Sequence, residues 1–191
     1  MSTSLPLTVL ALSGSLRRAS LNTALLQACA ELAPEAGLRL DLRTLHGIPL
    51  YDADVEALGT PEAVIALREG IRAADALLIA TPEYNNSIPG VLKNGLDWVS
   101  RPPAEGARTF AGKPTAVLGA TPGGFGTVQS QDALLSVLRA FQVEMWFGGR
   151  LMISRAHTLF DEQGRLQDEK LRQQLREFLG GFAAHLRARG S

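Results

Sequence analysis

The alternation of buried-strand and amphipathic-helix patterns along the whole chain is the feature that most constrains its fold. Leu7–Leu12 is almost continuously apolar, and Ala76–Ala80 is entirely so. Short apolar runs of this kind, bounded by turn residues, are typical of strands that are covered on both faces. Helical patterns separate the strand patterns from one end of the chain to the other. This alternation predicts an α/β fold with a parallel sheet and helices on both of its faces.

The patterns predict five strands and five helices. The predicted strands are Leu7–Leu12, Leu38–Leu42, Ala76–Ala80, Pro114–Leu118 and one within Val143–Ile153. The predicted helices are Ser20–Ala33, Pro61–Ala74, Gly90–Val99, Val128–Phe141 and Asp168–Arg187. Ser20 and Thr60 are the expected N-caps of the first two helices. No repeat or linker interrupts the series, so a single domain over residues 1–191 is expected.

The charge balance excludes several classes of partner. The 19 basic and 19 acidic residues give a formal net charge of zero. A neutral chain has no electrostatic footprint for nucleic acid or for an anionic membrane. No apolar run approaches the ~20 residues that span a bilayer, and Met1–Pro6 shows no signal-peptide pattern. The expectation is a soluble, cytoplasmic protein.

The cysteine and the histidines give no sign of a metal site or a reactive thiol. Cys29 is the one cysteine in the sequence, and its apolar neighbours at helical spacing place it on a buried stripe. His46, His157 and His185 are scattered without ligand spacing. Neither a metal centre nor a disulfide is expected.

The first loop that follows a buried strand has a composition suited to phosphate. Ligands of such sheets bind outside the carboxyl ends of the strands. The segment from Ser13 to Asn22, SGSLRRASLN, combines hydroxyls, glycine and arginine at the start of a helix. Backbone N–H groups, the helix dipole and an arginine fork would all favour a phosphate there. The loop is neither a Walker A loop nor a dinucleotide fingerprint. The alternative is a capped loop with two solvated arginines.

Two further loops suggest a flat ligand. The loop TPEYNNSIPG, residues 81–90, offers an aromatic face and amides on a backbone restricted by two prolines. The loop GATPGGFGT, residues 119–127, contains four glycines, which allow close backbone approach. Together they suit a planar heteroaromatic ligand. The alternatives are a rigid loop whose tyrosine packs on its neighbours and a flexible turn.

Three motifs, GSLRRASLN, PEYNNSIPGVLKNGLDW and TPGGFGT, occur in this order. Together they resemble the NADPH-dependent FMN reductase family, which includes flavin, quinone, azo-dye and chromate reductases. The resemblance covers roughly residues 7–155 and implies a flavodoxin-like, doubly wound five-stranded sheet in the order 2-1-3-4-5. It also implies FMN as cofactor and NADPH or NADH as donor.

The resemblance assigns three groups of residues to the cofactor. Those that match the FMN phosphate positions are Ser15, Arg17, Ser20 and Asn22. Those that match the loop lining the ring and ribityl chain are Pro82, Glu83, Tyr84 and Asn85. Those that match the turn over the pyrimidine end are Thr121, Gly123 and Gly124. Asn86 stands where many relatives have glycine, and Thr121 where serine is frequent.

The expected activity is a ping-pong, two-electron reduction through tightly bound FMN, with no acid–base side chain required. Backbone N–H groups of Gly123 and Gly124 would stabilise charge on the ring. Tyr84, Ile88 and Phe125 would frame an apolar slot that prefers quinones over azo dyes and free flavins. Two alternatives remain open: a reductase of free FMN, and a flavodoxin-type electron carrier or flavin-binding sensor without turnover. The neutral charge disfavours the carrier.

The assembly implied by the resemblance is a homodimer or a dimer of dimers. The helix that carries Lys93, Asn94, Asp97 and Trp98 would lie near the interface. Trp146 and Phe147 in the last strand are predicted to be core residues, and helix arginines such as Arg68 are predicted to be solvated.

Overall fold

The two apolar runs that dominate the sequence form the inner strands of a parallel sheet. In the computed structural model, which describes residues 5–189, strand β1 is Leu7–Ser13 and strand β3 is Ala76–Ala80. Val9 pairs with Ala76 in parallel register, and every residue of β3 is buried. Residues 1–4, part of the segment in which no signal peptide is predicted, lie outside the described residues, as do residues 190–191.

The sheet has the strand order expected from the family resemblance. The other strands are β2 (Leu38–Arg43), β4 (Pro114–Ala120), β5 (Glu144–Met145) and β6 (Leu151–Ile153). The order is β2-β1-β3-β4-β5, with β6 also pairing with β4, and every pairing is parallel. The predicted fold class is confirmed, but the fifth strand is split into two short pieces.

An outward excursion of the chain splits the fifth strand. Met145 pairs with Thr115, and Leu151 pairs with Leu118. The fifth strand therefore takes six residue steps, from 145 to 151, where β4 takes three, from 115 to 118. The Trp146 ring folds back over Gly148 and Gly149, where a Cβ would collide with it. Phe147 points outward and is 68% exposed, so its predicted core position is wrong. Trp146 does pack inward, with its ring centroid 5.0 Å from that of Phe178.

Seven α-helices surround the sheet in the described chain. They are α1 (Leu21–Leu32), α2 (Ala53–Ala57), α3 (Glu62–Ala73), α4 (Gly90–Val99), α5 (Pro103–Phe110), α6 (Val128–Ala140) and α7 (Glu169–Ala188). The short helices α2 and α5 were not predicted. Ser20 caps α1 as expected, because its Oγ accepts the Thr23 N–H at 3.2 Å. The predicted Thr60 cap is wrong, because Pro61 occupies the N-cap position of α3 without a side-chain cap bond.

Two apolar clusters lie on opposite faces of the sheet. Helices α1 and α7 cover one face, whereas α3, α4 and α6 cover the other. Cys29 is fully buried, which confirms its predicted place on the buried stripe of α1, and burial raises the pKa of its thiol to about 12. Arg68 is also buried, contrary to prediction, because its guanidinium donates to the carbonyls of Val99 and Arg101 at the end of α4.

Neither a membrane-spanning helix nor a metal-ligand cluster is present between residues 5 and 189. No helix there combines the length and apolar character needed to cross a bilayer. No group of three or more His, Cys, Asp or Glu side chains comes together in a way that would hold a metal ion.

Candidate flavin site

The three loops predicted to bind a ligand begin side by side at the carboxyl edge of the sheet. Gly14 N–H donates to the Ala80 carbonyl at 2.8 Å, and Thr81 N–H donates to the Leu118 carbonyl at 3.0 Å. The Thr121 N–H extends the same pattern by donating to Ile153 at 3.0 Å. The sheet therefore fixes the bases of the first, second and third loops relative to one another.

The first loop places two serine hydroxyl groups near the N-terminus of α1. Ser15 Oγ accepts the Arg17 N–H, and Ser20 Oγ accepts the Thr23 N–H, each at 3.2 Å. Since each oxygen is already an acceptor, its own proton is left to donate to an anion. Between residues 5 and 189, the N–H groups of Leu21 and Asn22 at the start of α1 meet no acceptor. The donor set fits a phosphate group.

Asn22 joins the first loop to the third. Its carboxamide is buried, with Nδ2 donating to the Ala120 carbonyl at 2.8 Å and Oδ1 accepting the Ala120 N–H at 2.9 Å. The pair of bonds ties the start of α1 to the end of β4. The predicted contact between Asn22 and phosphate stays a prediction.

The second loop contains a tight turn with left-handed backbone at two asparagines. Tyr84 and Ser87 exchange backbone hydrogen bonds at 3.0 and 3.1 Å. Between them, Asn85 and Asn86 have φ values of +51° and +63°. Asparagine tolerates this conformation better than most residues other than glycine do, so it can occupy both positions of the turn. The turn leaves the Tyr84 ring half exposed beside the site.

The Glu83 side chain caps a helix that begins after the third loop. Its Oε2 accepts the N–H groups of Gln129 and Ser130, at 2.9 and 3.0 Å, in the first turn of α6. Ser130 Oγ lies 2.8 Å from Thr81 Oγ1 and donates to the Pro82 carbonyl. Sequence reasoning missed Ser130, because a serine within a helical pattern carries no signal of this contact.

The third loop uses its glycines in different ways. Gly126 has φ +71° beside the Met152 backbone, so the chain itself requires glycine there. A Cβ on Gly124 would meet no protein atom within 4 Å, so only an approaching ligand would make glycine necessary at that position. Gly123 donates to Thr121 Oγ1 at 3.2 Å, whereas the Gly124 N–H meets no acceptor among the described residues. The open space and the unpaired donor fit a flat ring.

A left-handed arginine beside the third loop was not predicted. Arg155 has φ +48°, and its N–H donates to the Gly123 carbonyl at 2.9 Å. This bond supports the glycine turn from the loop that follows β6. A single exposed arginine after a strand carries no sequence signal for such a contact.

Of the three residues expected to frame an apolar slot above the ring, Tyr84 and Phe125 are exposed, Phe125 to 93%. Tyr84 lies on the second loop, and Ile88 is partly buried against the core.

Trp98, expected near a subunit interface, is completely buried within its own chain and donates to the Pro49 carbonyl at 2.9 Å. The outer surface of α4 carries the Lys93–Asp97 ion pair instead.

The strand order, the anion-suited start of α1 and the glycine turn at the carboxyl edge define a flavodoxin-like protein with a site suited to FMN. The sequence profile of the NADPH-dependent FMN reductase family matches residues 7–158. The chain belongs to this family. It is an oxidoreductase that uses FMN, with NAD(P)H as the electron donor.

Relatives and solved structures agree with this assignment. The chain is 51% identical over 171 residues to the NAD(P)H-dependent FMN reductase of Pseudomonas aeruginosa, with 90% of each chain covered. It is 39% identical over 176 residues to the 2-hydroxy-1,4-benzoquinone reductase of a Burkholderia species, covering 92% of this chain and 94% of that protein. The flavoenzyme NAD(P)H:(acceptor) oxidoreductase FerB of Paracoccus denitrificans is similar in structure, with a TM-score of 0.82, 34% identity and coverage of 95% and 97%.

Proposed function

We propose that this enzyme passes two electrons from NAD(P)H to quinones through tightly bound FMN, in ping-pong order. The observation that carries the proposal is the absence of a free charged side chain on the two ring loops. The Glu83 carboxylate accepts two backbone N–H groups at the start of α6, and the third loop has no ionisable residue. The exposed Tyr84 and Phe125 side chains are proposed to frame an apolar slot, which would suit flat, uncharged molecules. The benzoquinone reductase among the relatives supports this choice.

The FMN phosphate is proposed to lie at the N-terminus of α1. Ser15 and Ser20 offer hydroxyl protons there, and Leu21 offers a backbone N–H. The exposed Arg17 side chain adds a fork suited to two phosphate oxygens. The contribution of Arg17 is a charge-assisted hydrogen bond, which is stronger than a neutral one.

The protein's part in the chemistry is to position groups and stabilise charge. When bound, FMN supplies the hydride acceptance and the electron relay. The Gly124 N–H is proposed to donate to the pyrimidine end of the ring, where negative charge develops. The Gly123 N–H already donates to Thr121 Oγ1. The Thr121 hydroxyl still has its own proton, so we propose that it takes the place of the Gly123 N–H as the second donor to the ring.

The order of acceptors tests this proposal. We expect quinones to react fastest and azo dyes and free FMN more slowly, with NADPH at least as good a donor as NADH. Arg18, exposed at the rim of the first loop, would meet the NADPH 2′-phosphate. Initial rates with benzoquinone, an azo dye and free FMN at matched concentrations measure the order. Turnover of free FMN far above that of any quinone contradicts the proposal.

One other activity has an observation in its favour. The relative with 51% identity is named an FMN reductase, so this chain would supply reduced free flavin. Under that alternative, FMN exchanges during turnover, and the enzyme loses its flavin when it is diluted into buffer without FMN. Under the quinone proposal, the enzyme retains its flavin through gel filtration.

The proposed assembly is a homodimer formed on the α4 side, and the proposed location is the cytoplasm. Leu50 is 83% exposed. The carbonyl of the residue before it, Pro49, accepts hydrogen bonds from the Asn94 and Trp98 side chains of α4. Val55 and Leu58, further along the chain, are exposed as well, and several exposed apolar side chains together favour a contact surface. Leu50→Asp is expected to lower the mass of the assembly measured by light scattering, and an unchanged mass contradicts the α4 contact.

A further inference from the structure

The backbone of Arg155 is fixed against the third loop. Its N–H donates to the Gly123 carbonyl at 2.9 Å, and the N–H of the next residue, Ala156, donates to the Thr121 carbonyl at 3.0 Å. The Arg155 carbonyl accepts the N–H of Thr158 at 3.0 Å and its Oγ1 proton at 2.9 Å. Ala156 is completely buried. These bonds give the Arg155 backbone a defined position beside the glycine turn.

The fold makes no use of the Arg155 side chain. Arg155 has φ +48° and ψ +32°, a left-handed conformation in which glycine and asparagine are the usual residues. Its contacts are those of its backbone, and within residues 5–189 the guanidinium forms no hydrogen bond or ion pair. A glycine would keep the same backbone bonds with less strain. A strained residue whose side chain does not support the fold points to a function of that side chain.

The positive charge of Arg155 is not neutralised by the segments around it. The side chain is exposed. Residues 119–127 contain no ionisable side chain, and residues 154–160 contain no acidic one. The next acidic residue along the chain, Asp161, pairs with Arg165 at 2.8 Å. A cation without an internal partner, held beside a ligand site, favours an anionic group on the ligand.

Arg155 is separate from the arginines of the first loop. Arg17 and Arg18 follow β1, whereas Arg155 follows β6, and β3 and β4 lie between these two strands in the sheet. The FMN phosphate is proposed to lie beside Arg17, at the start of α1. Arg155 is instead bonded to the turn proposed to cover the flavin ring. Its charge is therefore placed for a molecule that reacts with the ring.

We propose that Arg155 is a specificity residue that favours electron acceptors carrying an anionic group. The flat part of the acceptor lies over the flavin ring, and the guanidinium donates charge-assisted hydrogen bonds to an ionised hydroxyl, carboxylate or sulfonate at its edge. Such a contact holds the acceptor equally before and during electron transfer, so it acts on KM and leaves kcat unchanged. The inference rests on the proposed place of the ring beside the third loop, which Gly124→Ala tests separately.

Two naphthoquinones that differ by one charge test this role. The probes are 1,4-naphthoquinone, which is neutral, and its 2-sulfonate, which is anionic. Arg155→Gly is expected to raise KM for the sulfonate by about tenfold or more, the usual value of a hydrogen bond to a charged group, with kcat unchanged. KM for the neutral quinone should stay the same. Arg155→Lys keeps a cation and is expected to recover part of the loss. Added salt should weaken the wild-type preference, because the contact is exposed.

The matched control removes the same charge at the other edge of the sheet. Arg139 is exposed in the last turn of α6, beside the start of β5, and Arg139→Ala is expected to keep the wild-type KM for both quinones. Thermal unfolding without FMN checks the fold, and Arg155→Gly is expected to be as stable as the wild type. If neither quinone is turned over, free FMN and riboflavin provide the corresponding anionic and neutral pair of acceptors.

Three results would overturn the assignment. The first is a KM for the anionic acceptor that Arg155→Gly leaves unchanged. The second is an equal rise in KM for both members of the pair, which would mean that Arg155 acts on the shape of the site and not on the charge of the acceptor. The third comes from anaerobic flavin reduction followed in a stopped-flow instrument. A loss of NADPH affinity as large as the loss for the sulfonate would assign the guanidinium to the phosphates of the donor.

Discussion

The carboxylate of Glu83 lies 3.0 Å from the backbone nitrogen of Ser130, and this contact joins the second loop to the helix that follows the third. The same oxygen accepts the Gln129 N–H at 2.9 Å. An anion at a helix N-terminus satisfies unpaired donors and interacts favourably with the helix dipole. Glu83 therefore sets the spacing between the two loops that would hold a flavin ring.

Glu83→Ala is expected to weaken FMN binding several-fold and to lower the free energy of unfolding by about 1 kcal/mol, the usual value of a helix cap. Glu83→Gln keeps an acceptor oxygen and is expected to recover most of both losses. Fluorescence titration gives the FMN dissociation constant, and urea unfolding of the FMN-free protein gives the stability. Glu62→Gln, an exposed residue in the first turn of α3, is the control. A stability loss without any change in FMN affinity would contradict the positioning role.

Arg17→Ala is expected to weaken FMN binding by ~2 kcal/mol, or more than tenfold, because it removes a charge-assisted contact to phosphate. The side chain is exposed, so folding and expression should hardly change. Arg18→Ala is the neighbouring comparison: it should leave FMN affinity intact and reduce the preference for NADPH over NADH. Equal FMN dissociation constants for wild type and Arg17→Ala would remove Arg17 from the phosphate site.

Two glycines of the third-loop region should respond differently to an added methyl group. A Cβ on Gly124 meets no protein atom, so Gly124→Ala is expected to preserve stability without FMN and to weaken FMN binding. A Cβ on Gly119 collides with the Thr81 carbonyl and Thr127 Oγ1, so Gly119→Ala is expected to destabilise the fold itself. Thermal unfolding with and without FMN separates the two effects. Full FMN affinity in Gly124→Ala would place the ring elsewhere.

The buried thiol of Cys29 predicts a loss of stability in alkali. Burial raises its pKa from 9.0 to about 12, so between these values the thiolate forms only in the unfolded chain. The free energy of unfolding therefore falls as the pH rises through this window. Between pH 8 and pH 10 the loss from this group is about 1.4 kcal/mol. Urea unfolding at both pH values should show a smaller loss in Cys29→Ala, and equal losses would contradict the shift.

Apolar periodicity was sufficient to predict most of the architecture. Ala76–Ala80 and Gly90–Val99 were predicted with the boundaries that the structure has. Helices α2 and α5 were missed because they are short and carry no long apolar stripe. The split fifth strand was missed because Val143–Ile153 is mostly apolar, and only packing shows that Trp146 turns inward over the two glycines.

The site was predictable in its location and less so in its internal contacts. Loops at the ends of buried strands are evident from the sequence, and the rule for parallel sheets brings them together. The bonds from Asn22 to Ala120 and from Glu83 to Ser130 join residues 98 and 47 positions apart. No local pattern signals such pairs. Both side chains were assigned to the cofactor, whereas the structure gives each a contact that holds the loops.

The central claim is that this chain uses FMN to take electrons from NAD(P)H, and an anaerobic titration tests it most directly. Protein loaded with FMN and freed of excess flavin is mixed with NADPH without oxygen, and its visible absorbance is followed. Full bleaching at one NADPH per flavin, reversed by one equivalent of benzoquinone, is the result predicted. A flavin spectrum that remains oxidised with both NADPH and NADH would contradict the account.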